Sequence, residues 1–161
     1  MELKFFVIGK IPSKANYKKI SHRFQNGSFK PFIINDPEVL RIQEEAVLQL
    51  KRQKKLYRQI KFPIEKPVKI SIKFFFSSRV SQRDLDNAEK FVGDILEKSE
   101  ILKKDSLIYV KERVEKRKGR KDVEVIEINI APLSDEEIES LNSPFENLEE
   151  ILKSLGERGA S

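Results

Sequence analysis

The chain contains no cysteine and a single histidine, His22. The first absence excludes a disulfide framework and a thiolate zinc site. The second excludes any metal cage that needs several imidazoles. No run of eighteen apolar residues occurs, so no segment reads as a membrane-spanning helix. The opening stretch, MELKFFVIGK, has neither the basic start nor the long apolar core and cleavage site of a signal peptide, and a cytoplasmic location is expected. Tryptophan is absent and methionine occurs once. With lysine and glutamate abundant, that composition suits a densely charged, thermally stable surface. At 161 residues the chain is long enough for one domain with a substantial core.

What is plentiful is charge, and it is unevenly distributed. The net charge is +6, yet the segment from Ser134 to Ser161 holds eight acids and two bases. Before Ser134 there remain 30 bases against 18 acids, a balance of +12. An excess of that size suits a polyanionic partner such as nucleic acid, with a solvated surface as the plain alternative.

Local patterns give an outline. Leu3–Ile8 is a short apolar run that reads as a strand, and GKIPSKANYKK after it reads as a loop. Lys14 and Lys18 in that loop are candidate phosphate contacts, and Tyr17 can stack on an unpaired base. A helix should start with Asp36 as N-cap and Pro37 in its first turn, burying Val39, Ala46, Val47 and Leu50. KPVKISIKFFFSS alternates, with Val68, Ile70, Ile72, Phe74 and Phe76 inward, and is the clearest strand in the chain. A helix follows over about 85–98. The segments 106–116 and 122–131, separated by RKGRK, read as a β-hairpin with a basic tip. Beyond Pro132, Ser134 with Glu137 and Ser143 with Glu146 are spaced as capping boxes. The second should open an amphipathic helix carrying Phe145, Leu148, Ile151, Leu152 and Leu155, stopped at Gly156. The fold expected is α+β: a small mixed sheet with two main helices over residues 1–133, and an acidic helical extension over 134–161.

The chemistry concentrates in SQRDLDNAEKFVGD, residues 81–94. Asp84 and Asp86 stand where the strongest strand gives way to a helix, and Asp105 follows nineteen residues after Asp86. An aspartate there can simply cap the helix, worth about 1 kcal/mol. Asp86 and Lys90 can likewise be an ordinary i,i+4 pair worth ~0.3–0.5 kcal/mol. Three converging carboxylates would be a different matter. At a separation of about 5 Å and an effective dielectric near 20, each pair repels by roughly 3 kcal/mol. Such a cluster invites a cation, and all-oxygen ligands select Mg²⁺ or Mn²⁺. A bound divalent ion can activate water against a phosphodiester, with Lys90 stabilising the pentacovalent transition state. A DNA-binding protein that cuts nothing is the competing reading. Sugar or nucleotide transfer through the DxD is a weaker third, because no glycine-rich nucleotide loop is present.

The block RDLDNAEKFVGDIL, followed by ILKKDSLIYVKERVEK, resembles the signature of the RusA family of Holliday-junction resolvases. Arg83, Asp84, Asp86, Asn87 and Lys90 fall on that family's R-D-x-D-N-x-x-K block, and Asp105 falls on its later acid. IPSKANYKK resembles the family's DNA-approaching loop. The resemblance spans roughly residues 3–131. It implies a Mg²⁺-dependent homodimeric endonuclease that nicks two strands of a four-way junction and leaves 5′-phosphate ends. Asp84, Asp86 and Asp105 would hold metal and Lys90 would be catalytic. Ser13, Lys14, Asn16, Tyr17, Lys18, Arg79, Gln82, Arg83, Asn87, Lys103 and Lys104 are the residues expected to meet DNA. Lys103 and Lys104 precede Asp105 where relatives often carry another acid. The acidic tail lies outside the resemblance.

Overall fold

A computed structural model describes residues 2–12, 18–25 and 27–159, with side chains left undescribed for 18–25, 29–35 and 158–159. Among the described residues, six strands and four α-helices follow in the order β1 (Leu3–Ile8), β2 (Lys18–Gln25), β3 (Ser28–Asn35), α1 (Pro37–Lys54), β4 (Val68–Phe76), α2 (Leu85–Lys98), β5 (Ile108–Lys118), β6 (Val125–Pro132), α3 (Asp135–Asn142) and α4 (Leu148–Gly159). The fold is α+β.

Four strands form a mixed sheet in the order β1-β6-β4-β5. β4 alternates as its sequence requires, burying Val68, Ile70, Ile72, Phe74 and Phe76 on one face. α2 bridges β4 to its parallel neighbour β5, a βαβ unit that lays the helix on the sheet. Ala88, Phe91, Val92, Ile95 and Leu96 of α2 pack into the core beside Ile42, Ala46 and Leu50 of α1. Asp36 caps α1 by accepting the Glu38 N–H at 3.0 Å. The opposite sheet face is mixed: Phe6 and Ile8 are exposed there, and Glu127 lies near both Lys4 and Lys73, at 3.9 and 3.6 Å.

The expected hairpin over 106–131 does not form. β4 lies between β5 and β6, parallel to the first and antiparallel to the second. Both segments have strand character, but β4 is the more apolar, and in the central position it is covered on both edges. The segments therefore flank it instead of pairing. A true hairpin occurs earlier, between β2 and β3, where Gln25 pairs with Ser28 and Gly27 turns at φ +81°.

α1 and the turn after it also close the β1 edge of the sheet. Gln49, Gln53 and Tyr57 recur every four residues and face β1. Gln53 accepts the Phe6 N–H at 2.8 Å and donates to the Phe6 carbonyl at 2.6 Å. Gln49 does the same for Ile8, and the Tyr57 hydroxyl for Lys4. Side-chain amides thus satisfy the backbone groups that a further strand would have paired.

The tail departs from expectation in two places. The capping box at Ser134 forms, with Glu137 N–H donating to Ser134 Oγ at 3.1 Å. The one at Ser143 does not open a helix. α4 begins at Leu148, where the Asn147 carbonyl accepts from Ile151, so Asn147 takes the cap position and Phe145 lies ahead of the helix. Gly156 does not stop α4, which runs on to Gly159. Leu148, Ile151, Leu152 and Leu155 are exposed. None of the described helices is long and apolar enough to cross a membrane.

Candidate active site

The chain reaches the site through Arg83, which the sequence placed on DNA and the structure turns inward. Its guanidinium meets Glu124 at 2.7 Å, donates to the Ile11 carbonyl at 2.7 Å and to Ser78 Oγ at 3.1 Å. It also lies over the Phe76 ring at 4.2 Å. With side-chain exposures of 11% and 7%, Arg83 and Glu124 form a buried pair. The correction has a simple cause. Glu124 also accepts the Ile11 and Ser77 N–H groups, and only a planar multi-donor cation can neutralise it there. Burial alone would raise the Glu124 pKa, but the hydrogen bonds from Arg83, Ile11 and Ser77 and the charge of Arg83 bring it below the ordinary glutamate value.

One residue on, Asp84 caps α2. Its Oδ1 accepts the Asp86 N–H at 2.9 Å and its Oδ2 accepts Asn87 Nδ2 at 3.1 Å. Asp86 and Lys90 follow on the first two turns of the helix, both exposed. Asp105 arrives from the other direction, on the short turn that leads into β5. Its N–H donates to Glu97 Oε2 at 3.3 Å. Asp105 lies against α2 beside Gly93, where a Cβ would sit 3.5 Å from both Asp105 Cβ and Oδ2, an ordinary van der Waals contact.

Asp86, Lys90, Gly93 and Asp105 line a cavity of about 390 Å³ between α2 and the β4–β5 side of the sheet. Asp86, Glu89, Lys90, Asp105 and Lys111 supply its charge, and Ile70, Ile72, Val92 and Ile108 form apolar wall. Asp84 is not on that wall, because as N-cap its carboxylate turns back onto the helix start. Among the described residues no three His, Cys, Asp or Glu side chains are grouped to hold a metal ion. Asp86 and Asp105, both in the cavity lining, are nevertheless oxygen donors of the chemistry that a hydrated Mg²⁺ takes, since that ion uses one or two carboxylates and keeps several waters. The field of the acids reaches Asp94. Burial raises its pKa first, Asp105 and Glu97 add to the rise, and Lys98 and Lys90 oppose it.

The other expected DNA contacts divide. Ser13, Lys14, Asn16 and Tyr17 lie outside the described residues, and Lys18 opens β2. Arg79 and Gln82 are exposed on the turn between β4 and α2. Lys104 is exposed just before Asp105, whereas Lys103 pairs with Glu65 at 3.1 Å. Asn87 belongs to the cap. Glu89, Lys111, Glu97 and Glu124 escaped the sequence reading. Glu89 had a signal, standing one helical turn from Asp86. Lys111 had none, because its place on the cavity depends on which strand lies beside β4.

The family model for endodeoxyribonuclease RusA matches residues 17–131, from just before β2 to the end of β6. The chain belongs to the RusA family. The matched span holds both cavity aspartates, Lys90 and the β4–α2–β5 unit that carries them. RusA membership makes the chain a DNA nuclease of the kind that resolves Holliday junctions. β1 and the tail helices lie outside the RusA match. No curated protein matches the chain.

Proposed function

We propose that the protein is a Mg²⁺-dependent resolvase that acts as a homodimer and nicks two opposed strands of a four-way DNA junction. The observation that carries this reading is the shared cavity. Asp86, Lys90 and Asp105 come from two separate stretches of chain and line one opening in an otherwise basic domain.

Asp86 and Asp105 are the residues that would hold the ion, with Mn²⁺ an acceptable substitute. When bound, it supplies an activated water and neutralises charge on the leaving oxygen. Lys90, one turn beyond Asp86, donates to a non-bridging oxygen of the scissile phosphate, where charge grows in the transition state. Asp84 fixes the start of α2, and with it the aim of Asp86. The basic surface draws in the phosphate backbone and the exposed turn at Arg79 and Gln82 holds it. Loss of the 3′ oxygen leaves a 5′-phosphate. A two-fold dimer presents equivalent cavities to strands related by the junction's own approximate symmetry. The catalytic domain is residues 1–133, with 134–161 an appendage.

The test is a labelled synthetic four-way junction with wild type and Asp86→Asn, with and without Mg²⁺. Paired symmetric nicks that require Mg²⁺ and fall at least about a hundredfold in the variant, with junction binding retained, are the expected result. Intact junction in every lane despite tight binding would instead leave Asp84 and Asp86 as helix-capping residues of a DNA-binding protein.

A further inference from the structure

One charged pair on the cavity wall has no task in the scheme above. Glu89 of α2 and Lys111 of β5 meet at 2.7 Å, with side-chain exposures of 21% and 50%. A pair so open to solvent adds little to stability. Its position matters more, because both residues line the cavity with Asp86, Lys90 and Asp105.

We propose that Lys111 contacts a DNA phosphate next to the scissile one, and that Glu89 is its positioning residue. This rests on the nuclease reading of the same cavity. The two cations of the wall come from different elements, Lys90 from the helix and Lys111 from the sheet. A strand entering between α2 and β5 therefore meets an ammonium on each side. An isolated lysine on an exposed strand samples many rotamers, and ordering it on binding costs entropy. Glu89, the more buried partner, removes that cost by holding the ammonium at the cavity beforehand. Its own charge is spent on Lys111, so it does not repel the incoming backbone as an unpaired carboxylate would. Lys111 is thus a binding residue for the strand, separate from the transition-state role of Lys90.

The experiment measures binding of a four-way junction without divalent ions across a salt series, for wild type, Lys111→Gln, Lys111→Arg, Glu89→Gln and the Glu89→Gln/Lys111→Gln double variant. Far-UV dichroism and melting temperature establish that each is folded. Lys111→Gln should bind roughly fivefold more weakly at low salt and lose about 1 from the slope of log affinity against log salt. Lys111→Arg should restore both. The Lys111→Gln loss should shrink in the Glu89→Gln background, because the lysine is no longer held there. In Mg²⁺, Lys111→Gln should raise KM and leave kcat within about twofold, as loss of uniform binding requires. Wild-type affinity and slope in Lys111→Gln would overturn the contact, as would a loss that Lys111→Arg does not restore. Strict additivity of the two substitutions would overturn the role of Glu89. A wild type that never cuts but shows these salt slopes would sink the nuclease reading alone.

Discussion

Arg83 and Glu124 decide how the active-site segment is held, and they separate two meanings of an arginine beside an acidic motif. A DNA contact would be removable at little cost to the fold. A buried ion pair is not, since truncating one partner strands the other charge. Arg83→Ala should therefore lower unfolding free energy by about 3–5 kcal/mol in urea titrations. Arg83→Lys should recover little of it, because a point charge cannot serve Glu124, Ile11 and Ser78 together. The pH dependence has a definite sign. The Glu124 pKa is lower folded than unfolded, so its contribution is complete above the ordinary glutamate value and drains away as pH falls through the folded value. Glu124→Gln should flatten that acid limb of the stability curve. Asp84 offers a parallel separation. Asp84→Ser keeps a capping oxygen and should cost only a few tenths of a kcal/mol, where Asp84→Ala costs about 1. If Asp84 acts by aiming Asp86, the serine variant should also keep most of the junction-cutting rate. The placement of Asp84, Asp86 and Lys90 at the start of one helix is legible, because they are neighbours in sequence. Arg83 was misread for a physical reason: its partner stands forty-one residues away, and no local pattern announces a buried acid.

At the scale of elements, the amide ladder from α1 to β1 carries a consequence for folding. Gln53→Leu keeps the helix and its length but removes both bonds to Phe6. The loss should be about 1 kcal/mol or somewhat more, and the exposed edge should raise the tendency to aggregate on heating. Light scattering during a thermal ramp would register the second effect even where the first is small. The same scale shows what a linear reading can recover. β4 declared itself by strict alternation, and α1 by Asp36 and Pro37, since those signals are local. The partners of β5 and β6 are not local. Both segments have the alternation and turn residues of a hairpin, and only the competition for central β4 separates them. The β2–β3 hairpin is the opposite case: the Asn26-Gly27 pair is a direct turn signal, in a stretch between the early loop and Asp36 to which no element is assigned from sequence alone.

For the whole molecule, charge is the governing quantity. Removing residues 134–161 subtracts eight acids and two bases and lifts the balance of the remainder to +12. Leu133, which is buried, would remain. The truncated protein should stay folded, keep junction cleavage, and bind duplex DNA more tightly with a steeper salt dependence. A truncated protein with unchanged salt slope would show that the tail's charge is not felt at the DNA surface. The four-stranded sheet adds a constraint on assembly. Its β1 margin is closed by glutamines and a tyrosine, so β5 supplies the other margin of that sheet, while the β2–β3 hairpin forms a separate sheet. Extended through that side, this sheet can join a single counterpart and then terminates, so it cannot by itself propagate a filament.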